Sequence, residues 1–326
     1  MEKQKYDEKI IVSVVVPTYN QEQYVQDTIM SIVRQECNFR YEIIVVDDCS
    51  IDNTYEKCKL VAEKYPEIIR LYKNSKNLGL LGNYFNALIP KCRGEFIAGC
   101  AGDDVWNDPN KLKIQVDYLQ NHPDCSCLHT GYIREYENSK KKEVRNTWDS
   151  PLLHGYGKKM AIEVVKENFS TFPVASSLIY RKSILDTYNV FINKALVDPF
   201  KRGEAMILFP IFAMTGKYAF WPEPMVSYRV REESASHFTD PRLKEKFELF
   251  YLFQKLNTIR LLNLGFGIKL KFNIKVIKFF LRYAKNSLNI DLNNYLNQYK
   301  ESPTFNLYPG VDVVIGVGLR FRKELV

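Results

Sequence analysis

Hydrophobic positions in the first hundred residues alternate between a strand period and a helix period. Ile10 to Val16 is an apolar, β-branched run, the pattern of a strand buried on both faces, and Pro17 is expected to end it by removing a ladder donor. Tyr24, Val25, Thr28, Ile29, Ile32 and Val33 then recur at helical spacing. A second buried strand is read at Tyr41 to Val46, followed by a helix that Asp52 can cap and that carries Tyr55, Leu60 and Val61. Ile68 to Tyr72 forms a third strand, Tyr84, Phe85, Leu88 and Ile89 mark a helix, and Glu95 to Cys100 forms a fourth strand. This alternation predicts an α/β fold with a mostly parallel, Rossmann-like sheet flanked by helices.

Beyond it, a helix is expected from Pro109 through Leu112, Val116 and Leu119, then a strand at Asp124 to Ile133. Glu137 to Ser150, with Lys140, Lys141 and Lys142, reads as an exposed loop. Met160 to Phe169 is predicted helical, Ala175 to Tyr180 a strand and Gly203 to Thr215 a helix. Lys217 to Val230 reads as two short strands broken by Pro222 and Pro224. From Pro241 onward the signal is mostly helical. Two regions follow: an α/β domain over residues 1–240 and a basic helical extension over 241–326.

In open α/β sheets, ligands bind beyond the carboxyl ends of the strands. Those ends carry Pro17-Thr18-Tyr19-Asn20, Asp47-Asp48, Lys76-Asn77-Leu78-Gly79 and Gly102-Asp103-Asp104, so polar groups converge on one edge. No GxGxxG follows the first strand and no GxxxxGK[ST] occurs, which argues against a dinucleotide-binding dehydrogenase and a P-loop enzyme.

Charge divides the chain. The net charge is +8, yet residues 241–326 hold 15 Lys or Arg against 6 Asp or Glu, so the preceding part is close to neutral. No helix-turn-helix, zinc-finger or RRM-type signature accompanies this basic region, so a nucleic-acid partner is not expected. An anionic membrane surface or a lipid-diphosphate acceptor explains the charge equally well. No apolar run reaches the roughly 18 residues of a membrane span, and the apolar stretch at Ile10 is too short for a signal peptide. A cytoplasmic protein is the expectation, with peripheral attachment to the inner face of the cell membrane as an alternative for the basic region. The seven cysteines form no CxxC pair and are expected to be reduced and inert.

The adjacent carboxylates Asp103 and Asp104 repel each other, an arrangement usually kept where a cation compensates. Mg²⁺ or Mn²⁺ suits it, because these ions bind through one or two carboxylates together with substrate phosphates. The bland alternative is a cap for the helix near Pro109.

At this point the chain resembles the family 2 glycosyltransferases, inverting enzymes of the GT-A fold, over about residues 10–235. The matching strings are Val12-Ser13-Val14-Val15-Val16-Pro17-Thr18-Tyr19-Asn20, Val45-Val46-Asp47-Asp48-Cys49-Ser50, Asn77-Leu78-Gly79, Gly102-Asp103-Asp104-Val105-Trp106 with Pro109, and Gly203-Glu204. The resemblance implies a nucleotide-sugar site containing Pro17, Thr18, Tyr19, Asp48, Asn77, Gly79, Asp103 and Arg231, with Asp48 on a uracil-like base and Asp47 ordering its turn. It assigns Asp103 and Asp104 jointly to metal and ribose, although Ala101 replaces the first acid of the family's DxD motif. Glu204 stands where the family has its catalytic base, usually Asp; Asp198 competes for that role, and a helix-terminal carboxylate is the structural alternative. Arg231 replaces a His found in many relatives and could pair with diphosphate oxygens in its place. His237 is a further metal candidate.

The implied reaction moves a sugar from a nucleoside diphosphate, a UDP-sugar foremost, to a hydroxyl of a saccharide or lipid-linked acceptor in surface polysaccharide assembly. Glu204 would take the acceptor proton during a single inverting displacement. A sugar-nucleotide pyrophosphorylase would need a Gly-rich basic loop after the first strand, where Pro17-Thr18-Tyr19-Asn20 stands. A non-catalytic nucleotide-sugar or membrane-binding module is the alternative from another class, and a phospho-acceptor domain built on Asp47 and Asp48 leaves Asp103-Asp104 unexplained. In the extension, Lys271, Lys275, Lys278, Arg282 and Lys285 form a basic stripe beside apolar residues including Phe272 and Ile274, fit either to cover the catalytic domain or to lie on anionic lipid.

Overall fold

The computed structural model describes residues 9–147, 155–167, 173–196, 203–231, 241–272 and 274–275. They divide into two compact units, one of residues 1–189 and 203–231, the other of 190–202 and 232–326. Asp198, His237 and most of the basic stripe (Lys278, Arg282, Lys285) lie outside the described residues.

The first unit is built on a nine-stranded sheet. Its first half follows the apolar runs closely: β1 (Ile10–Thr18), β2 (Arg40–Asp47), β3 (Ile69–Lys73) and β4 (Phe96–Gly99) lie in the order β3-β2-β1-β4, all parallel. Helices α1 (Val25–Val33) and α2 (Thr54–Ala62) make the crossovers. The return from β3 to β4 is irregular, with α3 (Gly79–Gly82), a π-helical turn (Asn83–Leu88) and a 3₁₀ turn (Ile89–Lys91) where one helix was expected.

Val12, Val14 and Val16 are fully buried with Ile29 and Ile32 of α1, and with Leu112, Val116 and Leu119 of α4 (Lys111–Asn121). Burial of each such side chain is worth about 1.5–3 kcal/mol against exposure. Val15, Ile44 and Val46, the alternate strand residues, are also fully buried, which is why these strands read as continuous apolar runs.

Pro17 does not end β1. The strand continues as Pro17 and Thr18 pair with Val46 and Asp47, while the β4 side of the ladder stops at Val15 opposite Gly99. The missing proline donor therefore falls where β4 no longer needs a partner.

The second half of the sheet is mixed, so the parallel arrangement holds for one half only. From β4 it continues through β8 (Leu178–Arg181), β6 (Cys125–Tyr136), β9 (Lys217–Val230) and β5 (Val105–Trp106). Of these pairings only β6 with β9 is parallel. The predicted loop after Glu137 contains β7 (Lys142–Arg145), an antiparallel edge partner of β6, with Lys142 bonded to Glu135 at 2.7 Å. The segment at Ala175 starts as a 3₁₀ turn, Ala175–Ser177, before β8. Lys217–Val230 is one strand with shifted register. Gly131 makes the shift possible, since a Cβ there would meet Pro222 O at 2.5 Å.

Helices α5 (Gly157–Lys166), α6 (Ser183–Thr187) and α8 (Ala205–Thr215) complete the first unit. An ion cluster built on the buried Glu42 lies at the amino ends of its strands. Glu42 accepts from Ser13 Oγ at 2.7 Å, Arg70 at 3.0 Å and Arg93 at 2.7 Å, which ties β2 to β1 and to the turn before β4.

The described part of the second unit contains α7 (Asn189–Leu196), all but one residue of it, α9 (Pro241–Leu261), and helical residues 266–272 and 274–275. Among the described residues no helix is long and apolar enough to cross a membrane, and all seven cysteines are free.

Candidate active site

The sharp turn after β2 is held by Asp47. Its carboxylate accepts Ser50 N at 3.0 Å and Ser50 Oγ at 2.5 Å, while Cys49 takes a positive φ of 63°. Asp47 is thus committed to the turn, and Asp48 stands at its tip, buried. Its amide donates to Thr18 O at 2.9 Å, joining the ends of β1 and β2.

Asp48 Oδ1 accepts from Asn74 Nδ2 and from Leu78 N, both at 2.8 Å. Asn83, itself donating to Val46 O at 3.0 Å, supports Asn74. This brings the loop after β3 against Asp48. Asn77 and Gly79 are exposed there, with Asn77 Oδ1 accepting Gly79 N at 2.8 Å. Gly79 is required by its φ of 71°, since a Cβ would meet nothing within 4 Å.

The loop after β4 lies beside Thr18. A Cβ on Gly102 would meet Thr18 Cγ2 at 3.0 Å and Gln21 Oε1 at 2.3 Å, so a side chain before Asp103 would require Gln21 to move. The two acids that follow part company. Asp104 is buried, and both its oxygens are taken by the protein: Oδ2 by the hydroxyl of Ser176, Oδ1 by Arg229 N at 3.0 Å. Burial, and next the neighbouring Asp103, push its carboxyl up to about 8. Asp103 instead forms an ion pair from Oδ2 to Arg231 at 2.7 Å.

Neither acid caps α4. Asp108 is the local acceptor there, bonding Asn110 N at 2.8 Å. Trp106 is anchored by its indole N–H to Ser176 O at 3.0 Å, and the ammonium of buried Lys111 lies over its ring at 4.0 Å.

Arg231 belongs to a cationic patch beside the acid pair. Both Arg229 and Arg231 place their guanidinium over the Tyr24 ring, at 4.4 and 5.0 Å, and Tyr24 Oη donates to Glu137 at 2.5 Å. Arg229 Nη1 and Arg231 Nε are buried with no protein partner. Buried charged donors normally find an acceptor, so this patch suits an anion.

Glu204 sits in other surroundings. It precedes α8 and its carbonyl accepts Ile207 N at 2.9 Å and Leu208 N at 2.7 Å, but its side chain makes no cap bond. Burial raises its carboxyl above the ordinary glutamate range, and its charge is felt at Tyr84 and Tyr180, whose hydroxyls bond each other at 2.9 Å.

Thr18, Asp48, Asn77, Gly79, Asp103 and Asp104 thus lie at the carboxyl ends of β1 to β4, and Arg231, named from the resemblance, follows β9 and reaches Asp103. Tyr19 is exposed beside them and Pro17 is within β1. Sequence reasoning missed Ser176, Asn74, Arg229 and Tyr24. The acids alone signalled that partners must exist; their identity depends on how β8 and β9 return to β4.

As a metal site the donor set is sparse. Among the described residues no group of three or more His, Cys, Asp or Glu is arranged to hold an ion, and Asp104 is engaged by the protein. One carboxylate, Asp103, fits a Mg²⁺ or Mn²⁺ ion that takes its other ligands from phosphates and water.

A parallel β3-β2-β1-β4 half, continued by a mixed half, with acids at the carboxyl edge, defines the GT-A class of α/β domain. Residues 13–188, over half the chain, match the model of Glycosyl transferase family 2, and the chain belongs to that family. It is 30% identical over 234 residues to an uncharacterized protein of Mycobacterium bovis, a match covering 71% of this chain and 62% of that relative's length. It is 32% identical over 124 residues to the putative teichuronic acid biosynthesis glycosyltransferase TuaG of Bacillus subtilis, covering 38% of this chain and 47% of TuaG. In fold it is similar to residues 1–349 of S. aureus TarS in complex with UDP, with a TM-score of 0.56, 17% identity, and coverage of 94% of this chain and 83% of that one.

Proposed function

We propose that the chain transfers a sugar from a nucleoside-diphosphate sugar, a UDP-sugar, to a hydroxyl of a saccharide or lipid-linked acceptor in surface polysaccharide assembly, with inversion at the anomeric carbon. The observation that carries this reading is the Asp103–Arg231 ion pair beside two unpartnered guanidinium N–H groups, at the edge where Thr18 and Asp48 end their strands. Such a place offers a diphosphate both its charge and its hydrogen bonds. The similarity to TuaG and to UDP-bound TarS supports the substrate class.

In this reading Asp48, fixed through Oδ1, accepts the N–H of the base with its other oxygen. Asn77 and Gly79 let the backbone approach the nucleotide. Asp103 would hold Mg²⁺ or Mn²⁺ together with the diphosphate; when bound, the ion supplies Lewis-acid stabilisation of the leaving group. Asp104 acts through its neighbours, holding Asp103 and the Arg229 backbone in place. Arg229 and Arg231 neutralise charge that grows on the diphosphate as the anomeric carbon–oxygen bond breaks. Glu204 accepts the proton of the attacking acceptor hydroxyl as the new bond forms, and its raised carboxyl makes it a better base near neutrality.

A donor panel of UDP-, GDP- and dTDP-sugars with Mn²⁺, read as released nucleoside diphosphate and glycoside product, tests the proposal. Turnover of one donor is expected, and Glu204→Gln should lower kcat by about 10²–10⁴ while donor binding persists. Donor binding without turnover, unchanged in Glu204→Gln, would instead identify a non-catalytic binding module.

A further inference from the structure

The apolar residues of the basic extension do not all turn inward. After α9, Asn263 and Gly265 adopt positive φ of 49° and 111°, which ends that helix and starts another at residue 266. On the new helix Ile268 and Phe272 are buried, and Phe272 is wholly so. Phe266, Leu270 and Ile274, spaced four apart, occupy the opposite face at 79%, 48% and 43% exposure. A phenylalanine so exposed, aligned with two further aliphatic side chains, forms a continuous stripe rather than the scattered surface apolar residues that most proteins tolerate.

Lysines border this stripe. Lys269 lies one position before Leu270 and the exposed Lys271 one position after it, on the two sides of the stripe, while Lys275 sets its ammonium over the Phe272 ring at 4.7 Å, toward the other face. From Glu248 to Asp291 the sequence has no acidic residue between those two, while it has eight Lys or Arg. An apolar strip flanked by flexible cationic side chains meets the boundary between acyl chains and anionic headgroups, where the strip is buried and the lysine stems extend outward to phosphate. A nucleic acid would use the lysines but leave Phe266 in water.

We infer that the face carrying Phe266, Leu270 and Ile274 is a docking surface for an anionic phospholipid bilayer. Attachment through one face of one helix is peripheral. The inference is independent of the reading of the sheet edge: failure of sugar transfer leaves it standing, and failure of docking leaves the transferase reading standing.

Flotation of the full chain with vesicles of phosphatidylcholine alone, or of phosphatidylcholine and phosphatidylglycerol in equal parts, tests it. Recovery with the anionic vesicles only is expected, falling as salt is raised. Phe266→Ser with Leu270→Ser should weaken binding about tenfold or more, and Lys269→Glu with Lys271→Glu similarly, with far-ultraviolet circular dichroism unchanged. Should the serine variant lose its fold, Phe266→Trp serves instead: its added fluorescence should be quenched by brominated lipid. Equal recovery of wild type and serine variant, absence of that quenching, or lipid-free dimerisation that the serine variant abolishes would each overturn the inference.

Discussion

Ser176 is the residue on which the acid loop depends, and Ser176→Ala measures how strongly. Its hydroxyl donates to Asp104 and accepts Ala101 N at 3.0 Å, and its carbonyl accepts the Trp106 indole. Alanine keeps the carbonyl bond and removes the other two. A buried hydrogen bond to a charged or titrating partner contributes about 1.5–3 kcal/mol, and leaving the part-buried Ala101 amide without its acceptor costs up to about 1 kcal/mol. The expected loss is thus about 2–4 kcal/mol, a fall in Tm of about 4–16 °C at roughly 2–4 °C per kcal/mol for a unit of this size.

The neighbouring Ser177 supplies the control. Its hydroxyl donates only to Val174 O, at 2.8 Å within its own 3₁₀ turn, so Ser177→Ala should cost about 0.5–1.5 kcal/mol. Thermal unfolding of both variants by circular dichroism, with the wild type, provides the comparison. A Ser176→Ala midpoint no lower than that of Ser177→Ala would refute the assignment of Asp104 as a residue locked by Ser176.

Gly102→Ala should drive its Cβ into Gln21 Oε1 and break the 3.3 Å bond from Tyr19 N, displacing Asp103; UDP affinity measured calorimetrically should fall severalfold, and Gln21→Ala in the same chain should restore part of it. For Glu42, burial raises the carboxyl but bonds from Arg93, Ser13 and Arg70 outweigh it and hold it below the ordinary value. The stability it confers is therefore present above pH of about 4.5 and lost as pH falls through the depressed folded value. Glu42→Gln, which keeps the shape and removes the charge, should cost about 2–3 kcal/mol once the exposure of Arg93 is allowed for, and should flatten the acid limb of the Tm-against-pH curve.

The central strands were legible because burial on both faces leaves an unbroken apolar run, as in Val12 to Val16 and Ile43 to Val46. Their carboxyl ends, and so the gathering of Thr18, Asp48 and Asp103, followed from parallel topology alone. Lys217–Val230 misled because Pro222 and Pro224 usually interrupt a ladder, and the glycine that accommodates them, Gly131, lies on a different strand. The strand at Lys142–Arg145 is a short charged edge whose alternation, K-E-V-R, contains a single apolar residue. The division of labour between Asp103 and Asp104 was invisible for a different reason: Ser176 is 72 residues from Asp104 and the Arg229 amide 125, and no local pattern encodes those separations.

The edge formed by Asp48, Asp103 and Arg231 is expected to bind a nucleoside diphosphate, which isothermal titration of UDP with Mn²⁺ into wild type, Asp103→Asn and Arg231→Met measures. Each substitution removes a charged partner of the diphosphate site, so saturable binding to the wild type should weaken about tenfold or more in both variants. Wild-type affinity retained in both variants would show that UDP does not bind at this edge.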